Sequence, residues 1–470
     1  MHRVLPAQPR KRAVALAVGV TALTACALAT APGAQVGPAR TGSVTANAAP
    51  VSAALPQPVP AVAGAQAIRG ASGPLTTAQC EAQFGIACYT PTQYRQAYDL
   101  NALYRQGITG KGRTIVIVDS YGSPTVQHDL DVYSKQFGIK STHVSVVKWG
   151  HVPTFDPTDA TQTGWAGETS LDVQMAHAVA PDAHLVLVET GVAETEGVTG
   201  LPEMMDAEKS LIDQGVGDVI TQSFGATENT FPGFATGDFS SIQNLRYAFK
   251  DAAKHNVTVL ASSGDGGATD STEDGVGYYD TQVNSWPSSD PLVTSIGGTQ
   301  LHLDEQGKRT APDSVYNDYG AGGGGQSHVF ARPAYQNTVS RVVGARRGTP
   351  DVSMAAAVDG GAWTYTSYDP AETGWGVSGG TSEASPLFSG IVALADQRAG
   401  HRLGDIHQAL YSLSAQSLWN PFTGITDVKD GTSNSYQGVT GYDAVRGYDM
   451  ATGVGSIDAA KFVPALARRH

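Results

Sequence analysis

The run Thr114-Ile115-Val116-Ile117-Val118-Asp119-Ser120-Tyr121-Gly122 decides the fold. Its apolar, largely β-branched part shows no alternation with polar residues, so it reads as a short strand buried on both faces, the kind that parallel sheets use. Three further runs share this character: His184 to Val188, Val219 to Thr221 and Val257 to Leu260. Helical patterns intervene. From Gly167 to Val179, Leu171, Met175, Ala178 and Val179 recur at helical spacing, and a second pattern, Asn244 to His255, leads into the last run. Strand and helix in alternation predict an α/β fold with a parallel sheet and right-handed crossovers. Such sheets bind ligands beyond the carboxyl ends of their strands. Asp119, Ser223 and Asp265 fall at those ends and mark a site before any motif is considered.

A chain of 470 residues with 41% hydrophobic content can bury a large core. Its net charge of -13 and its 16% of charged residues exclude the clustered basic surface of a nucleic-acid binder. Residues 1–34 read as an export signal, because Arg3, Arg10, Lys11 and Arg12 precede an apolar stretch from Ala13 to Ala25. That stretch is short for a membrane span. Cys26 follows Leu23-Thr24-Ala25, similar to a bacterial lipoprotein processing box, so two fates are open: a lipid anchor at Cys26, or its removal at Ala27-Leu28-Ala29. Residues 35–72, dominated by Ala, Pro, Val and Gly, predict an unstructured spacer ahead of a folded domain at 73–470. Cys80 and Cys88 bracket a loop that an oxidising compartment can bridge. The expectation is a secreted monomer. The last third, rich in Gly, Tyr, Asp and Asn, predicts loops apart from helices at Ser385 to Gln397 and Ile406 to Ser412.

The sharpest local signal is Ser378-Gly379-Gly380-Thr381-Ser382-Glu383-Ala384-Ser385-Pro386, followed by an apolar helical pattern at Leu387, Ile391, Val392 and Leu394. A serine at a helix start is placed for nucleophilic attack: paired glycines let substrate approach the backbone, and the helix N-terminus favours developing negative charge. An ordinary N-cap serine would look the same. On the predicted helix, Gly167-Glu168-Thr169-Ser170-Leu171-Asp172 sets Glu168 and Asp172 on one face. Two ionised carboxylates at that spacing repel by roughly 0.2–0.5 kcal/mol. Sharing a proton removes the repulsion and raises one pKa, which makes a general base suited to acid. A solvated acidic face is the competing explanation. The third element, Ser262-Ser263-Gly264-Asp265-Gly266-Gly267, is a strand end opening into a glycine turn, where an Asp either does chemistry or satisfies turn amides.

In these contexts the order Glu168, Asp172, Asp265, Ser382 resembles the sedolisin family of serine-carboxyl peptidases, from about Tyr89 to the C-terminus. Supporting stretches are Ser223-Phe224-Gly225, Trp286-Pro287-Ser288-Ser289, Ile296-Gly297-Gly298-Thr299 and Pro350-Asp351-Val352-Ser353. The resemblance implies a subtilisin-like α/β fold, with a mostly parallel central sheet, helices on both faces and a loop-rich C-terminal calcium-binding region. It implies Ser382 as nucleophile, Glu168 as its general base and later acid, and Asp172 as the group that orients Glu168 and shares its proton. Asp265 would stabilise the oxyanion in its protonated form, since a carboxylic acid donates where a carboxylate would repel. A calcium ion is implied at Asp427 and Asp449, through carboxylates, and at Val428, Val445 and Gly447, through carbonyls. Val445 stands where the family usually has Gly.

The activity so implied is acid-active endopeptidase action on polypeptide substrates. Many members carry a folded propeptide, for which the spacer has neither the length nor the periodicity. Two other readings compete. A histidine-dependent subtilisin would need a His-Gly-Thr-His helix start, and none of the 12 histidines stands in that context. Asp119, which resembles that family's strand-end catalytic Asp, is accordingly read as structural. An inactive cell-surface binding module could retain the fold, although all four catalytic positions hold chemically competent residues.

Overall fold

The computed structural model describes residues 66–371 and 373–469. The export signal at 1–34, Cys26 and the spacer up to residue 65 lie outside the described residues. The central sheet has eight strands: β1 Thr114–Ser120, β2 Val144–Trp149, β3 His184–Thr190, β4 Val219–Gln222, β5 Thr258–Ser262, β6 Thr294–Gln300, β7 Ser314–Val315 and β8 Val352–Ala355. They lie in the order β7-β6-β5-β4-β1-β3-β2, with β8 also pairing β6, and every pairing except that of β7 is parallel. The four predicted runs are β1, β3, β4 and β5, each reaching further at its carboxyl end.

The absence of alternation in β1 has a direct cause. Ile115 and Ile117 pack with Val173 and Ala176 on one face of the sheet, while Val116 and Val118 pack with Met204 and Leu211 on the other. Both faces are covered by helices, so every position must be apolar, and each buried aliphatic side chain contributes about 1.5–3 kcal/mol. Two helices on the first face matter most: α1, Ala160–Val179, and α2, Thr381–Ala399. Helix α1 begins ahead of the predicted Gly167 because the Asp159 side chain caps it, accepting from the amides of Thr161 and Gln162. The two helices approach closely at Gly390, where a Cβ would lie 2.6 Å from that of Val179.

Three expectations are corrected. Ordered structure starts inside the stretch 35–72, since Gln66–Ala71 is a strand antiparallel to Gly374–Ser378. Its stability comes from main-chain pairing and the buried Ile68, neither of which composition registers. The pattern at Asn244 to His255 divides into helices Ser240–Leu245 and Tyr247–Lys254. A helix at Ala459–Ala467 was unexpected in the loop-rich third; Pro464 interrupts its pattern, and the Asp458 side chain caps it. Cys80 and Cys88 form a disulfide. Among the described residues, no helix is long and apolar enough to cross a membrane.

Candidate active site

Ser382 is the second residue of α2. The turn into the helix needs both glycines before it. Gly380 has φ of 106°, a left-handed value that side chains resist, and a Cβ on Gly379 would lie 2.6 Å from the Ala356 carbonyl oxygen. Pro386 has no amide proton to give to the Ser382 carbonyl four residues back. The Ser223 hydroxyl sits 3.5 Å from that carbonyl and donates to Asp172 Oδ1 at 2.8 Å. One side chain at the end of β4 thereby ties the serine helix to the acid helix.

Glu168 and Asp172 are buried, as is every residue of α1 from Glu168 to its end, with 4% and 0% of their surface exposed. The solvated-face explanation is therefore ruled out for this pair. Burial pushes Asp172 well above the usual carboxylate range, the charges of Asp119 and Glu168 push it further, and the Ser223 hydroxyl pulls the other way. Asp119, at the end of β1, is fully buried and raised to about 7 by burial and by Glu189, against the opposing Thr169 hydroxyl. Three carboxyls thus share one low-dielectric region, where burial and mutual repulsion favour the protonated forms of Asp119 and Asp172. Sequence reasoning left Asp119 out of this group. Its position at a strand end was the available signal, and only the fold sets it beside Asp172.

Asp265, beyond the end of β5, reaches Thr381, the residue before Ser382. Its Oδ1 accepts the Thr381 amide at 2.7 Å and the Thr381 hydroxyl at 3.1 Å, while that hydroxyl also meets the Gly264 amide and carbonyl, each at 3.1 Å. Its Oδ2 is buried and, like Ser382 Oγ, has no hydrogen-bond partner among the described residues. Burial raises Asp265 to about 6, with Thr381 opposing. The four sequence-predicted residues therefore converge at the carboxyl edge of β1, β4 and β5. His177, the histidine of α1, does not join them; it is buried near Arg95 and Asp182 and held down to about 4 by that burial. Nearby, Glu194, Glu196 and Asp270 form a second buried acidic group that sequence reasoning missed, Asp270 contributing to the rise of Asp265.

The predicted calcium residues also come together. Asp427 Oδ1 accepts the Gly447 amide and Asp449 Oδ2 the Val445 amide, each at 3.0 Å. The carbonyls of Val428, Val445 and Gly447 accept no hydrogen bond among the described residues. No group of three or more His, Cys, Asp or Glu suited to a metal occurs among the described residues. Asp427 Oδ2 meets Lys429 Nζ at 3.3 Å and Asp449 Oδ1 takes the amides of Ala451 and Thr452, so the oxygens left open on this loop are main-chain carbonyls, of the kind a hard cation takes.

Residues 161–439 match the Subtilase family. The chain is 30% identical over 394 residues to kumamolisin of Bacillus sp. (strain MN-32), covering 80% of this chain and 63% of that protein. It is 31% identical over 383 residues to sedolisin of Pseudomonas sp. (strain 101), covering 79% and 60% respectively. Mouse (Mus musculus) tripeptidyl-peptidase 1 is 28% identical over 397 residues, covering 78% of this chain and 62% of that protein. A solved structure of Pseudomonas sedolisin, a serine-carboxyl proteinase complexed with two molecules of pseudo-iodotyrostatin, superposes with a TM-score of 0.67 at 29% identity, covering 82% of this chain and 99% of that one. The chain thus spans less than two thirds of the length of these curated relatives.

Proposed function

This chain belongs to the subtilase family, and to the sedolisin peptidases within it, and from that premise we propose that it is a secreted, acid-active serine-carboxyl endopeptidase. The observation that carries the reading is the burial of Glu168 and Asp172 on one helix face, tied through Ser223 to the helix start that bears Ser382. Ser382 Oγ attacks the scissile carbonyl and its proton passes to Glu168. Asp172 holds Glu168 in place and shares that proton. As negative charge builds on the carbonyl oxygen, protonated Asp265 donates to it from Oδ2, the oxygen that Thr381 leaves open. Glu168 then gives its proton to the departing amine, and water reverses the sequence to release the acyl group.

Acid activity follows from the same burial, since the carboxyl group must keep protons that a neutral or alkaline medium removes. The export signal at 1–34 and a folded domain that opens on the strand Gln66–Ala71 complete the proposal. Calcium at Asp427 and Asp449, with the carbonyls of Val428, Val445 and Gly447, would stiffen the C-terminal loops. The test is digestion of a denatured protein at acid pH by the purified chain and by Ser382→Ala. The native chain should yield discrete peptides and the variant none; equal digestion would refute the assignment.

A further inference from the structure

The central sheet ends on β2, which pairs β3 on one side and no strand on the other among the described residues. The Val144 amide turns outward and donates to the Gln127 side chain at 2.9 Å. Main-chain groups alternate in direction along a strand, so the amides of Val146 and Lys148 face the same open side. Cavities flank this edge on both faces. One, of about 830 Å³, is walled by Val144, Val146 and Lys148 together with Tyr121 and Phe155. The other, of about 320 Å³, is walled by Ser145, Val147 and Trp149 against Ala207 and Leu211. Alternate residues of one strand therefore serve opposite clefts.

Exposed edges are normally blunted by charge, proline or a bulge. Here β2 pairs β3 in unbroken register from Val144 to Trp149. Val146 is 43% exposed, and the cation of the edge, Lys148, already meets Glu189 at 3.5 Å. The larger cleft also reaches the catalytic end of the sheet. Tyr121 follows Asp119 closely in sequence, and Phe155 meets Tyr368 edge-on at 6.2 Å. The Tyr368 hydroxyl stands 3.0 Å from where a Cβ of Gly167, the neighbour of Glu168, would be.

We propose that β2 is a strand-docking exosite, on which an extended stretch of polypeptide substrate adds to the sheet and sends alternate side chains into the two clefts. The main chain supplies the affinity, so the site accepts varied sequences and favours unfolded protein over short peptides. This inference rests on the peptidase reading above.

The test compares kcat/KM on reduced, alkylated serum albumin with kcat/KM on a fluorogenic hexapeptide too short to span both sites. Val146→Pro removes an outward amide and leaves the bonds to β3 intact; Val146→Lys keeps the amide and sets a charge in the larger cleft. Loss of that main-chain bond with the seating of its neighbours in the first variant, or obstruction of the cleft in the second, should lower the protein-to-hexapeptide ratio by about 5–30-fold. Should Val146→Pro fail to fold, Val146→Lys carries the test. An unchanged ratio overturns the exosite. So does a native chain that sediments as a dimer and becomes monomeric with Val146→Lys, since the edge would then join two copies. If the native chain cleaves neither substrate, the peptidase reading itself falls and takes this one with it.

Discussion

Replacing Asp265 with asparagine separates the hydrogen-bond donor from the proton that creates it. In the folded chain Oδ1 is committed to Thr381, at 2.7 Å from its amide, and Oδ2 is the atom left to donate. Asparagine in the same pose keeps an accepting oxygen on Thr381 and puts an NH₂ where Oδ2 stood, a donor at every pH. Burial raises the native Asp265 to about 6, against the opposing hydrogen bonds of Thr381. If only the protonated acid stabilises the oxyanion, kcat/KM falls about tenfold for each pH unit above that value, or roughly 100-fold by pH 8. This is about 2.7 kcal/mol of transition-state stabilisation, within the range of 10²–10³ expected for losing one oxyanion donor. The assay is kcat/KM on a quenched-fluorescence peptide from pH 3 to 8 at constant ionic strength. The native enzyme should show an alkaline limb with a midpoint near 6 that Asp265→Asn lacks. A limb of the same midpoint and slope in the variant would refute the role given to Asp265.

Glu168→Gln should lower single-turnover acylation by roughly 10²–10⁴-fold, because an amide cannot take the Ser382 proton; acylation near the native rate would point to another base. Chelation should lower the melting temperature of the native chain and leave that of Asp449→Ala unchanged, since a ligand of the folded state stabilises it; an indifferent native melt removes the calcium assignment. A third expectation concerns stability alone. Burial by itself would lower the His407 pKa, but Asp405, at 2.6 Å, and Asp351, at 3.4 Å, overcome it and raise His407 to about 9. Because this folded value lies above the unperturbed 6.5, the contribution is whole below about 6.5 and is lost as pH climbs through 9, on the order of 3 kcal/mol. Denaturant unfolding should therefore weaken between pH 6.5 and 9.5 in the native chain and much less in His407→Gln. Equal pH dependence in both would exclude His407 as the source.

Much of this protein is written locally. The unbroken apolar run at Ile115 to Val118 determines a strand covered on both faces, because any polar residue there would lose its water without a partner. The paired glycines before Ser382 determine a turn that a side chain would obstruct, and the spacing of Glu168 and Asp172 determines that both leave α1 on one side. What sequence could not decide was what that side faces. Acidic helix faces mostly meet solvent, and only the packing of α1 against the sheet and α2 turns this one inward. The same holds for Asp119, for the Ser223 bridge and for the open edge of β2. Each depends on which elements become neighbours after the chain has folded, and burial, which sets the pKa of a carboxyl and the reach of a hydroxyl, is a property of those neighbours and not of the residue.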